Sequence, residues 1–159
     1  MNKVYLLLGS NQQDPGKQLL LAQRSILKKI GHIDRRSAIY QTAAWGNTNQ
    51  PDFLNQVIIV NTGLTAIQTM RTILEIEKKM GLLRTVKNAP RIIDIDILFF
   101  NREIIDRDEL TVPHPQLQNR RFVLVPLNEL SPNLKHPVLN KTIHQLFIHC
   151  PDDLNVKKF

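Results

Sequence analysis

The chain has little of several features that would mark it as a secreted or membrane protein. It holds a single cysteine, Cys150, so no disulfide can form within it, which fits a reducing cytoplasm. No apolar run approaches the ~20 residues that a membrane-spanning helix needs. The first residues, "MNKVYLLLGSNQQ", lack the length and the cleavage site of a signal peptide. We therefore expect a cytoplasmic protein with no membrane partner.

Acidic and aromatic residues are also scarce. The chain has 14 Asp and Glu against 21 Lys and Arg, a net charge of +7, which favours an anionic partner such as nucleic acid or a phosphorylated small molecule. Aromatic residues are 6% of the chain, and they do not form the clustered strand motifs of RNA-binding modules. Hydrophobic residues are 42% of 159, enough for the core of one domain spanning residues 1–159.

Hydrophobic periodicity predicts alternating strands and helices. We expect strands at 3–8, 33–43, 53–63 and 90–100, helices at 14–30 and 65–80, and shorter helices at 120–130 and 140–149. The order strand–helix–strand–strand–helix–strand indicates an α+β fold with a ferredoxin-like core, an antiparallel sheet with helices packed on it.

One charged residue on the second predicted helix lies among apolar residues. A helical wheel places Glu77 in the middle of an apolar face made by Ile67, Met70, Ile73, Leu74, Ile76 and Met80. A carboxylate there is costly unless it has a partner. The alternative is a solvated Glu near the helix end.

Two aspartates interrupt an otherwise apolar strand in "PRIIDIDILFF", residues 90–100. Because strand residues two apart point the same way, Asp94 and Asp96 are expected to share a face with Leu98. Two adjacent carboxylates repel, and a divalent metal removes that repulsion. Mg²⁺ takes one or two carboxylates together with phosphate oxygens and water. The alternative is an edge strand with one solvated face.

Basic residues precede these aspartates. The loop "LLRTVKNAPR" supplies Arg84, Lys87 and Arg91, and Arg forks match phosphate oxygens. A metal on one side and Arg on the other suit a transferring phosphoryl group. The early stretch "GSNQQDPGKQ" is not a P-loop, because six residues separate its glycines and Gln18 follows Lys17.

Five motifs in order carry a family resemblance. They are "LGSN" at 8–11, "QPDFLN" at 50–55, "PRIIDIDIL" at 90–98, "LTVPHP" at 110–115 and "RFVLVPLNEL" at 121–130. With them the chain resembles the 6-hydroxymethyl-7,8-dihydropterin pyrophosphokinases of folate synthesis. The resemblance implies a ferredoxin-like α+β fold and transfer of diphosphate from ATP to a pterin hydroxymethyl group, with release of AMP.

The resemblance also implies roles for individual residues. Asp94 and Asp96 would be catalytic and would hold two Mg²⁺ ions, with Arg84 and Arg91 as further catalytic residues. The pterin-binding residues would be Thr42, Ala43, Trp45, Phe53, Asn55, Asp94 and Phe122. The ATP-binding residues would be Glu77, Arg84, Lys87, Arg91, Ile97, Thr111, His114 and Arg120. From their polar or basic character and their position beside the proposed site, we also expect the loops at 43–52 and 82–90 to close over the substrates of a monomeric enzyme.

The chain departs from the family pattern in places. The basic loop is one residue shorter, lacks the family's Trp, and has Leu82 where a basic residue is common. Ala43 replaces a common Pro, Phe53 a common Tyr, and Glu109 an Arg of some members. These departures bear on rate and ATP contacts rather than on the reaction.

Three alternatives stay open at this point. A basic ferredoxin-like sheet could bind RNA, an Asp-x-Asp strand could serve a metal-dependent nuclease, and the altered basic loop could make a catalytically weak family member. Our partner prediction is ATP and the pterin, with no nucleic acid.

Overall fold

The computed structural model describes residues 1–43, 50–81 and 92–159 of the chain. The strands are β1 Asn2–Ser10, β2 Gly31–Arg36, β3 Tyr40–Thr42, β4 Phe53–Thr62, β5 Asp94–Phe100, β6 Ile105–Asp106, β7 Thr111–Val112 and β8 Val156–Lys158. The helices are α1 Pro15–Lys29, α2 Ala66–Gly81, α3 Arg121–Leu130 and α4 Ile143–Ile148, with a short 3-10 helix at Leu117–Asn119. None of the helices in these ranges is long and apolar enough to cross a membrane.

The main sheet confirms the expected ferredoxin-like core. Its order is β5-β1-β4-β3-β8, and β2 pairs with the other end of β4, so β5-β1-β4-β2 is an antiparallel core of four strands. Strands β3 and β8 extend the sheet beyond that core, which the sequence did not predict. Strands β6 and β7 pair separately.

Helices cover both faces of this sheet. On one face, α1 and α2 enclose a core that includes Leu6, Ile58 and Ile97. On the other, α3 and α4 pack over residues such as Leu7, Val57 and Leu98. Alternate residues of β1, β4 and β5 therefore serve two separate cores, as the two-residue period of a strand dictates.

Local signals set the helix ends. Asp14 is the N-cap of α1, and its side chain accepts a hydrogen bond from the backbone N–H of Lys17 at 3.4 Å, with Pro15 in the first turn as expected. At α4, Thr142 and Gln145 form a reciprocal capping box. Capping of this kind lets a helix as short as α4 form.

Two expectations about individual elements were wrong. The segment expected to be one strand, 33–43, is two strands, because Ser37 between them bonds through its backbone and its hydroxyl to Val57 and leaves the strand conformation. On α2, Leu74 was placed on the apolar face, but it is 51% exposed. The face that packs on the sheet is narrower than the helical wheel indicated.

Candidate active site

A cavity of about 720 Å³ lies over the α3 face of the sheet. Its floor is formed where β5, β1 and β4 lie side by side. Gly9 on β1 pairs with Asp94 on one side and Asn55 on the other, and Leu7 pairs with Asp96. The register of three antiparallel strands thus places two carboxylates and an amide on one surface.

The strand prediction for the two aspartates is confirmed. Both are half-buried, and both line the cavity on the face that carries Leu98, while Ile95 and Ile97 are buried against the α1 and α2 layer. The pair suits Mg²⁺, which binds carboxylates and completes its shell with phosphate oxygens and water. Within the described ranges, no group of three or more Asp, Glu, His or Cys side chains is placed to hold a metal ion. Phosphate oxygens and water would therefore have to complete the shell of a metal bound here.

The residues expected to bind the pterin also reach this cavity. Those described there are Thr42, Ala43, Phe53, Asn55 and Phe122, together with Asp94. Trp45 lies outside the described residues. Asn55 and Thr42 are buried, and the Asn55 amide donates to the Thr42 hydroxyl at 3.4 Å. The aromatic rings of Phe53 and Phe122 reach the cavity from β4 and from the first turn of α3.

Each of the last three residues of the LGSN motif has a different structural role. A Cβ on Gly9 would lie 2.7 Å from the Asn55 side-chain oxygen, so only glycine leaves that amide in place. The buried hydroxyl of Ser10 donates to the Ile92 carbonyl, two residues before Asp94. The Asn11 side chain donates to the Pro51 carbonyl at 3.2 Å. The motif therefore supports both neighbouring strands.

Among the described residues expected on the ATP side, His114 and Thr111 lie beside the outer edge of β5 and do not line the cavity. The backbone N–H of His114 donates to the Leu98 carbonyl at 3.0 Å, and Thr111 is exposed on β7. The Ile97 side chain is buried on the opposite face from Asp96. Arg120 does line the cavity, with its guanidinium 6.0 Å from the centre of the Phe122 ring. Arg84, Lys87 and Arg91 lie outside the described residues.

Glu77 has the partner that its apolar surroundings require. Its carboxylate accepts a hydrogen bond from the backbone N–H of Ile95 at 2.9 Å. Ile95 stands between Asp94 and Asp96, so α2 is tied to the strand that carries the two aspartates. Charge-assisted bonds of this kind are stronger than neutral ones.

His114 lies close to Asp96 and Arg120, and its pKa is lowered from the usual value. Burial lowers its pKa, the charge of Asp96 opposes that shift, and the charge of Arg120 adds to it. Its Nδ1 accepts from the backbone N–H of Gln116 at 3.1 Å, which leaves the ring proton on Nε2.

The structure also brings in residues that the sequence did not single out. Gln116, Asn119 and a C-terminal segment, residues 151–154, line the cavity. Glu109, noted as a departure, forms an exposed ion pair with Arg71 at 3.2 Å. Gly9 also lines the cavity and belongs to a sequence motif, whereas Gln116, Asn119 and residues 151–154 carry no recognisable sequence pattern.

Comparison with known proteins identifies the family to which the chain is similar. Residues 5–132 match the model of the 7,8-dihydro-6-hydroxymethylpterin-pyrophosphokinase family, HPPK. A 2-amino-4-hydroxy-6-hydroxymethyldihydropteridine pyrophosphokinase of Aquifex aeolicus is 39% identical over 91% of this chain and 90% of its own length. The Haemophilus influenzae protein of that name is 33% identical over 98% of this chain and 99% of its own.

Some relatives are longer than this chain. A folic acid synthesis protein of Dictyostelium discoideum is 36% identical over 98% of this chain, which spans 23% of that protein. A crystal structure of Plasmodium falciparum HPPK-DHPS has a TM-score of 0.75 at 20% identity, over 92% of this chain and 43% of its own, and shows the same fold. On the family match and the two relatives of similar length, the chain belongs to the 7,8-dihydro-6-hydroxymethylpterin-pyrophosphokinase family.

Proposed function

We propose that the chain transfers an intact diphosphate from ATP to the hydroxymethyl group of 6-hydroxymethyl-7,8-dihydropterin and releases AMP, as a step of folate synthesis. The observation that carries the proposal is one cavity, in a chain of this family, that joins Asp94 and Asp96 to Phe53, Asn55 and Phe122. Paired carboxylates suit a metal–phosphate complex, and the aromatic rings suit a flat heterocycle.

The pterin would occupy the end of the cavity between β4 and α3. Phe53 and Phe122 would stack on the ring, which contributes about 1 kcal/mol beyond burial. Asn55 and Thr42 would meet its polar edge. Because Thr42 and Asn55 already bond to each other, this edge is ordered before substrate binds.

The triphosphate would approach across β5. Asp94 and Asp96 would hold two Mg²⁺ ions, which supply charge neutralisation for the phosphate oxygens when bound. Arg120 would add a fixed positive charge, and His114 would donate from Nε2, since its Nδ1 accepts from Gln116. Arg84, Lys87 and Arg91 would complete the nucleotide contacts, as the family resemblance implies.

The reaction is one displacement at phosphorus. The hydroxymethyl oxygen bonds to the β-phosphorus and gives up its proton, while the bond from that phosphorus to the α–β bridging oxygen breaks and AMP leaves. The chain's contribution is alignment and electrostatic stabilisation. We further propose that the enzyme is a cytoplasmic monomer that needs no nucleic acid. The expected closure of the loops at 43–52 and 82–90 concerns mostly residues that lie outside the described ranges, and it stays a prediction.

The test is to incubate the protein with ATP, Mg²⁺ and the pterin and to resolve the nucleotides. We expect AMP and the pterin diphosphate in equal amounts, and a loss of both in Asp94→Ala and Asp96→Ala. Asp108→Ala, at an exposed aspartate, is the matched control and should leave turnover unchanged. Formation of ADP would make the protein a single-phosphoryl kinase and overturn the proposal. Absence of both turnover and pterin binding would also overturn it.

A further inference from the structure

The C-terminal segment, residues 151–159, contacts both sides of the pterin end of the cavity. Its first four residues line the cavity, and the three residues of β8 extend the sheet. The segment lies beyond residues 5–132, the part that matches the family model. It is therefore a part of the site that neither the sequence motifs nor the family match points to.

On one side the segment holds the start of α3. Arg120, the N-cap residue of α3, makes no side-chain capping bond. Instead, an Asp152 carboxylate oxygen accepts from the backbone N–H of Arg121 at 3.0 Å. A carboxylate at a helix N-terminus is favoured by the unpaired N–H groups and by the helix dipole. The residue after Arg121 is Phe122, whose ring lines the cavity.

The second oxygen of the same carboxylate orders the segment itself. It accepts from the backbone N–H of Leu154 at 3.0 Å. Asp152 therefore bridges the first turn of α3 and the chain that runs on to β8. An amide at this position has only one oxygen and could keep only one of the two bonds.

On the other side the segment holds β3. Val156 pairs with Thr42, Lys158 pairs with Tyr40, and the backbone N–H of Phe159 donates to the Ile39 carbonyl at 2.8 Å. A strand as short as β3 is weakly held by one neighbour alone. With β8 in place, β3 lies between two strands where it presents Thr42.

We propose that residues 151–159 set the distance between the Thr42 side and the Phe122 side of the pterin site, with Asp152 as the positioning residue. The inference rests on the proposed function. Asp152 does not need to touch the pterin, since it acts through the backbone that carries Phe122. The expected signature is a rise in the KM for the pterin that is larger than any rise in the KM for ATP, because Arg120 at the same helix start is only one of several residues expected to bind ATP.

Asp152→Ala removes both bonds and Asp152→Asn removes one. We expect the KM for the pterin to rise about fivefold in Asp152→Ala, in line with the loss of a helix cap, and by less in Asp152→Asn. The KM for ATP should rise by clearly less than the KM for the pterin. Amide hydrogen exchange at residues 121–124 of the free protein should become faster in the same order.

Thr142→Ala is the matched control, because it removes the side-chain cap of α4 on the same face of the sheet. It should lower the melting temperature without changing the KM for the pterin. Faster exchange in Asp152→Ala with an unchanged KM for the pterin would overturn the inference, as would equal losses for both substrates. A wild-type protein without turnover would count against the proposed function itself, whereas the variant-to-wild-type ratio tests only the positioning role.

Discussion

At the scale of single residues, the site depends as much on a missing side chain as on those present. Gly9 stands between Asp94 and Asn55 in adjacent strands, and its lack of a Cβ keeps the cavity floor open. The two aspartates, by contrast, bring negative charges close together, and these charges need compensation from a bound metal or from Arg. On the same cavity floor, the glycine leaves space and the aspartates supply negative charge.

Gly9→Ala is expected to displace the Asn55 amide, because the new Cβ would lie 2.7 Å from its oxygen. Loss of one good hydrogen bond to the pterin should raise its KM by about fivefold. Gly63→Ala is the matched control, since its Cβ would meet nothing within 4 Å. Steady-state kinetics with both variants measures the effect, and equal KM values for the two would contradict it.

The raised pKa of Tyr40 predicts that the folded protein loses stability in alkaline solution. Burial, with the hydrogen bond and charge of Glu129, raises its pKa from 10.0 to about 12. The folded state therefore holds the phenolic proton more tightly than the unfolded state does. This contribution is complete below pH 10 and is lost between pH 10 and about 12, at a cost of roughly 1–3 kcal/mol.

The Tyr40 contribution is isolated by comparison with Tyr40→Phe. We expect the free energy of unfolding of the wild type to fall more steeply than that of the variant between pH 10 and 12. Denaturant unfolding at several pH values measures both. If the free energies of unfolding of the two proteins fell in parallel with pH, the Tyr40–Glu129 hydrogen bond would not shift the pKa of the phenol.

At the scale of elements, ties between helices and strands hold the site residues. Glu77 connects α2 to the backbone of β5, and Glu129 on α3 accepts from the Tyr40 hydroxyl at 2.6 Å. Each tie crosses from a helix to a strand that carries or adjoins a site residue. The layers can therefore shift little without moving the cavity lining.

Glu77→Ala is expected to loosen β5 between its two aspartates. The Ile95 N–H would lose its acceptor, with a stability loss of about 1–3 kcal/mol, and kcat/KM for ATP should fall. Glu77→Gln keeps an acceptor oxygen and should recover most of both quantities. Glu75→Ala, at an exposed position of the same helix, is the control. A Gln variant as impaired as the Ala variant would mean that the charge itself is required.

At the scale of the whole molecule, the net charge of +7 matches a highly anionic nucleotide. The field of the whole chain should draw ATP toward the site and have little effect on an uncharged pterin. The ferredoxin-like core alone is shared by many functions, so the charge and the cavity decide between them.

Raising the salt concentration should therefore separate the two substrates. The Debye screening length falls from about 10 Å at 0.1 M salt to about 3 Å at 1 M salt. We expect kcat/KM for ATP to fall severalfold over that range while the KM for the pterin changes little. A parallel RNA titration at low and high salt tests the RNA-binding alternative. Tight, salt-sensitive RNA binding would contradict the prediction that no nucleic acid is bound.

Features that depend only on neighbouring residues could be predicted from the sequence alone. The alternation in "IIDIDIL" placed Asp94 and Asp96 on one face because the side-chain period of a strand is local. The order of periodic segments indicated the ferredoxin-like core, and ordered motifs indicated the family. Leu74 shows the limit, since a helical wheel does not record how wide a face the sheet covers.

Which distant residues share the cavity became known from the folded chain and not from the sequence. Gly9 meets Asn55 and Asp94 through the register of three strands, and register follows from the packing of both faces. Asp152 reaches Arg121 across 31 residues because α4 turns the chain back beside α3. No local pattern records such a return, since it depends on the free energy of the packed molecule rather than on any one segment.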